Sequence, residues 1–268
     1  MHQALVAIFF ENHPPKPATL RAFFMSRQPF SAGIRHRLTL LLALFWLASG
    51  CTAPNMGAMY YGERFNAWTH LIGALFALTG ATWLIVLASL RADAQAIASV
   101  SIYGVAMVLL YAISTLYHSV RGPTKRLLQK FDHLSIYLMI AGSYTPFCLI
   151  SLRGAWGWSL FGVVWGLALI GMLQEIKPRS EARVLSLVIY AVMGWAVLVA
   201  TGPLLEALGT AGFICLAAGG LLYTVGIVFF VLDSRVRHFH GIWHLFVIAG
   251  SLLHYVTIVR YVLPASEA

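Results

Sequence analysis

Residues 97–119 read IASVSIYGVAMVLLYAISTLYHS, twenty-three positions without one Asp, Glu, Lys or Arg. A helix needs about 20 mostly apolar residues to cross the hydrocarbon core of a bilayer. In lipid, only a helix or a closed barrel satisfies its own backbone hydrogen bonds. This run is continuously apolar instead of alternating over about ten residues, so it reads as a helix and not as a barrel strand. Six more such runs flank it, over residues 67–90, 132–152, 155–174, 183–203, 211–232 and 242–263. The fold class is therefore an all-α membrane protein, a bundle of seven transmembrane helices with short connections.

Composition agrees. Of 268 residues, 60% are hydrophobic and 10% charged, where a soluble domain carries about 25% charged residues; the mean hydropathy is +0.80. That balance excludes a disordered chain, a disulfide-stapled secreted module and a cytosolic enzyme. A net charge of +9 would point to nucleic acid in a soluble protein, but here Lys and Arg gather in short loops, where they set orientation. Nucleic acid is accordingly not among the expected partners; membrane lipids are. Arg64, then Arg121, Lys125, Arg126 and Lys130, then Lys177, Arg179 and Arg183, then Arg235 and Arg237 fall on one side, against Arg91, Arg153 and Arg260 on the other. The positive-inside rule puts the N-terminal end of the bundle in the cytoplasm and the C-terminus outside. Cys51, Cys148 and Cys215 have no CxxC spacing and read as small hydrophobes.

The domain reading is an N-terminal extension over 1–58 and a membrane domain over 59–268. In the extension, Arg35, His36 and Arg37 precede a short apolar run and then Ala48-Ser49-Gly50-Cys51. It fits a signal peptide ending in a lipidated cysteine, a short eighth span, or an over-extended start before Met59. The third is favoured, because export of Cys51 would place Arg64 outside, against the loop charges.

Ionisable groups inside a span cost several kcal/mol unless paired, and mark functional candidates. Four stand where spans meet the cytoplasmic face: His118 closing the second, Asp132 opening the third, and His240 and His244 at the start of the seventh. His240 and His244 are four apart, one turn on a single helical face. That spacing lets two imidazoles grip one metal ion, with His118 as the third ligand. Asp132 is placed to orient a ligand ring or a water at the metal. Ser114, one turn before His118, supplies a further hydrogen bond. A nitrogen-rich set without thiolate suits Zn²⁺ best, and three protein ligands leave the open position of a catalytic site. Read singly, each histidine is an interfacial residue whose ring tip reaches water; their convergence at one depth favours the metal. Glu63, Asn66 and His70 share one face of the first helix and read as a cap and interhelical hydrogen bonds. His133 and His238 read as interfacial, and His254 lies about 15 Å beyond His244, too far for the same ion. The glycines from Gly73 to Gly80 and from Gly219 to Gly226 read as close helix contacts.

Glu63-Arg64-Phe65-Asn66-Ala67-Trp68-Thr69-His70 resembles the opening E-x-x-N-x-x-T-H of the bacterial hemolysin III family, which belongs with the progestin and adipoQ receptors. The resemblance runs on through Ser114 to His118, Asp132 to Tyr137, Ala141 to Phe147, Tyr223 to Gly226 and His240 to Ser251. It implies a seven-helix bundle in the bacterial plasma membrane with a cytoplasmic N-terminus. It also implies a zinc ion held by His118, His240 and His244, with Asp132 contacting it through water. Because the wider superfamily includes alkaline ceramidases, it implies hydrolysis of a lipid amide, with Asp132 and Ser114 as catalytic groups. Nothing in residues 1–58 matches the family, whose bacterial members begin near the first motif. Two kinds of function remain open on these residues: a metal-dependent lipid hydrolase, and a non-enzymatic protein that senses the bilayer, acts as a receptor or forms a cytolytic pore.

Overall fold

The structure is a computed structural model that describes residues 59, 62–90, 93–176 and 182–263. The readings of residues 1–58, Cys51 among them, lie outside the described residues. Every regular element described is helical. Helix α1 spans Glu63–Ser89, α2 Ala94–Ser119, α3 Pro123–Pro146, α4 Gly154–Ile176, α5 Ala182–Trp195, α6 Thr201–Leu232 and α7 Phe239–Thr257. Among the described residues, six continuous helical stretches are long and apolar enough to cross a bilayer.

Local chemistry sets the ends. Asp93 caps α2, its carboxylate accepting from the backbone N–H of Gln95 at 2.9 Å and of Ala96 at 3.2 Å. Pro123 opens α3, where its missing N–H would have been unpaired anyway. Pro146 lacks the N–H that the α-ladder needs, and the helix continues past it as a π-helical turn over Phe147–Leu152.

The sequence reading differs from the structure between residues 183 and 232. Two separate spans were expected there, and the structure has one helical stretch, Val184–Leu232, of 49 residues. It is not a straight rod. A 3₁₀ segment, Ala196–Ala200, separates α5 from α6, and the Tyr144 hydroxyl satisfies the groups freed there. It donates to the Gly194 carbonyl at 2.9 Å and accepts from the Val197 N–H at 3.0 Å. Inside α6, Gly209 has φ 66° and ψ 171°, a conformation open essentially to glycine alone. Gly209 falls within residues 204–210, the interval between the two expected spans, with Pro203 and Glu206 close by. What hydrophobicity does not show is that the chain stays helical on both sides of it.

α1 packs along α2, α2 along α3 and α6 along α7, and α7 returns to α1. The expected close contacts are present: Gly73 lies against Tyr111, Gly80 against Tyr255, Gly219 against His254 and Gly226 against Trp243 and Phe246. Polarity runs opposite to that of a soluble domain. Trp68, Phe76, Leu173 and Val199 are exposed, while Ser99, Ser114, Thr145, Ser251 and Thr257 are buried. An apolar shell on this scale needs lipid to cover it.

Candidate metal centre

The last turn of α2 and the first turns of α1 and α7 meet at one end of the bundle. α7 comes close because Gly241 has no side chain: a Cβ there would collide with the Phe65 ring and sit 3.0 Å from Asn66 Oδ1. That approach brings His240 and His244 to His118. The ring centroids are 5.1 Å apart for His118 and His240, 4.9 Å for His118 and His244, and 4.8 Å for His240 and His244. One nitrogen from each ring lies within 4.8 Å of the others, a span that one ion can bridge. His118 and His244 are buried and His240 is partly exposed.

Each ring is held from behind. His118 Nδ1 is hydrogen-bonded to Glu63 Oε2, and Glu63 Oε1 is 3.0 Å from Lys125 Nζ. His240 Nδ1 lies 2.8 Å from Asp233 Oδ2. His244 Nδ1 lies 3.3 Å from both Thr69 Oγ1 and the Asn66 carbonyl oxygen. With Nδ1 engaged three times over, Nε2 is the free nitrogen on each ring. On His118 that atom is buried without a hydrogen-bond partner among the described residues. A buried lone pair without a partner is unfavourable, and a divalent cation would satisfy it; the residues fit a metal.

Ser114, buried, and Asp132 line the same cavity as the three histidines. The Asp132 carboxylate is within hydrogen-bonding reach of Ser114 and near enough to His118 and His240 to interact with both. The five residues singled out from the sequence are thus brought together. The cavity has a volume of about 850 Å³, within the range of ligand sites. It continues from the histidines past Met139, Ile140 and Val247 to His254, ten residues and about 15 Å further along α7.

Other residues fall differently from expectation. Glu63 does not cap α1: the N-cap position is Gly62, which has no side chain to offer. The carboxylate turns instead to His118. His70 stacks on His244, ring centroids 3.6 Å apart, and its nitrogens make no hydrogen bond among the described residues. His133 stands 3.6 Å from Glu175, whose other oxygen accepts from Ser186. Sequence reasoning missed Asp233 altogether, and quoted Thr69 in the opening motif without giving it a role. Asp233 precedes His240 by seven residues, and only the turn that folds this connection back, with His238 at φ 68°, sets the two face to face.

Fold and site together define a multi-pass helical membrane protein with a buried three-histidine centre opening onto an apolar-walled cavity. The chain belongs to the hemolysin III family. The family pattern described as haemolysin-III related matches residues 58–255. The chain is 44% identical to Hemolysin-3 of Bacillus cereus over 206 residues, 76% of this chain and 94% of that protein. It is 42% identical to the Hemolysin-3 homolog of Bacillus subtilis over 200 residues, 74% of this chain and 93% of that protein. It is also 30% identical to the human monocyte to macrophage differentiation factor over 208 residues, 75% of this chain and 84% of that protein.

Proposed function

We propose that this protein is a zinc-dependent hydrolase of lipid amides, ceramidase-like in its chemistry, in the bacterial plasma membrane. The observation that carries the reading is the three-histidine cluster opening, beside Asp132 and Ser114, into a long cavity with apolar walls. His118, His240 and His244 would hold the ion; three neutral nitrogens without a thiolate suit zinc. When bound, zinc polarises a carbonyl and makes water a competent nucleophile at neutral pH. Asp132 takes the proton of the attacking water as its oxygen bonds to the carbonyl carbon. Ser114 donates a hydrogen bond to the carbonyl oxygen as negative charge develops there. Asp132 then returns the proton to the amine as the C–N bond breaks. The acyl chain lies along the cavity toward His254.

Seven crossings with a cytoplasmic N-terminal end belong to the same reading. A helical stretch of 49 residues would extend about 73 Å if straight, against a hydrocarbon core of about 30 Å. Two crossings joined near Gly209 accommodate it. The basic loops then share the side of the histidines.

The test is elemental analysis of detergent-purified protein, wild type beside His244→Ala, followed by turnover of a long-chain N-acyl amide in mixed micelles. About one zinc per chain, lost in the variant, with turnover abolished by chelator, supports the reading. Absence of stoichiometric zinc after reconstitution removes it. The names of the two Bacillus relatives favour a second reading, a cytolytic membrane protein in which the metal only pins helices. Dye leakage from liposomes that persists in His118→Ala would put that reading first.

A further inference from the structure

The two carboxylates behind the histidines have chemistry that the spacing of the ligands does not explain. A carboxylate only accepts hydrogen bonds, so the contacts with Glu63 and Asp233 require the proton of His118 and of His240 to sit on Nδ1. Thr69 donates its own hydroxyl proton to the Asn66 carbonyl at 2.9 Å. Its oxygen and that carbonyl therefore face His244 Nδ1 as acceptors, and His244 has the same tautomer. All three rings present Nε2.

The support is unequal. His118 and His240 are backed by full negative charges, and His244 by two neutral oxygens at 3.3 Å. The charges are themselves held in place. The Glu63 side chain is 19% exposed and that of Asp233 14%, so neither is a freely solvated surface group. Lys125 reaches across from α3 to Glu63, and its Nζ also donates to the Tyr117 carbonyl at 2.8 Å. The ammonium lies 4.0 Å from the centroid of the Tyr117 ring. Glu63 thus sits between an ammonium and an imidazole, one oxygen to each.

We propose that Glu63 and Asp233 are positioning residues of the metal centre, each fixing one histidine as its Nδ1–H tautomer and raising the basicity of the Nε2 that binds. The inference rests on the metal reading above. It extends that reading to residues on α1 and in the α6–α7 connection, where the sequence showed no ligand pattern. Each carboxylate acts through its histidine, so removing the charge weakens metal binding without changing which atoms ligate the ion.

The experiment uses full-length protein in detergent and measures Zn²⁺ dissociation constants by chelator competition, with Co²⁺ absorption spectra alongside. Glu63→Gln and Asp233→Asn keep size and an acceptor oxygen while losing the charge. Each is expected to weaken Zn²⁺ about 10- to 100-fold, with the Co²⁺ d–d bands unmoved. If Glu63→Gln does not fold, Asp233→Asn still decides the matter. Affinities within about twofold of wild type in both carboxylate variants would overturn the proposal and leave the metal reading standing. Displaced Co²⁺ bands would overturn it differently, by making the carboxylate a direct ligand. Wild-type protein that binds neither ion would overturn both.

Discussion

At the scale of single residues, the site is three imidazoles whose useful nitrogens are selected by what lies behind them. The ligand candidates were legible because an ionisable group inside an apolar run is costly and therefore conspicuous. Their partners were not. Glu63 opens α1, where a carboxylate is expected beside free N–H groups, and only the folded chain turns it toward His118. Two residue-scale predictions follow from the roles assigned. Asp132→Asn keeps the shape of the side chain but removes the base, so amide turnover should fall about 10²- to 10⁴-fold while zinc content stays near wild type. Ser114→Ala should lower turnover with zinc unchanged; equal turnover in that variant would take Ser114 out of the mechanism.

At the scale of elements, two glycines set the course of the helices, and one of them places the site. Gly241 lets α7 approach α1 closely enough for Asn66 and Thr69 to reach His244. Gly241→Val should force these helices apart, costing about 1–3 kcal/mol from overpacking, and should lose bound zinc with it. Thermal unfolding and elemental analysis of the same preparation check both effects. Gly209 serves a different purpose, turning the chain within α6 at φ 66°. Gly209→Ala should destabilise by about 1–3 kcal/mol without touching metal affinity, since the residue is far along the chain from the histidines. The gap between the two expected spans, residues 204–210, contains Gly209; hydropathy does not carry the further fact that the backbone resumes its helix directly after it.

At the scale of the whole molecule, a metal bridging α2 and α7 would be a cross-link between helices that are far apart in sequence. Zinc at 100 times its dissociation constant should stabilise the fold by about 2.7 kcal/mol over the metal-free protein. A rise in the unfolding temperature, lost in His244→Ala, is the readout. Orientation is testable separately. A C-terminal alkaline phosphatase fusion should be active and a C-terminal green fluorescent protein fusion dark, as a C-terminus outside requires. The reverse pattern would move the histidines to the outer face and contradict the loop charges.

Much of this architecture was decided within the chain's own linear order. Long runs such as 97–119 must be helical in lipid, since no water is present to take up backbone hydrogen bonds. The four-residue step from His240 to His244 sets two rings on one face whatever surrounds the helix. What packing alone decided is everything that joins distant segments. His118 meets a pair more than a hundred residues away, Asp233 folds back on His240, and α3 lends Lys125 to a carboxylate on α1. Hydrophobicity and helical period are local quantities, repeated along every span and nearly identical among them. Which spans touch, and which polar groups they trap between them, depends on the fit of side chains such as Phe65 against Gly241, and that fit exists only in three dimensions.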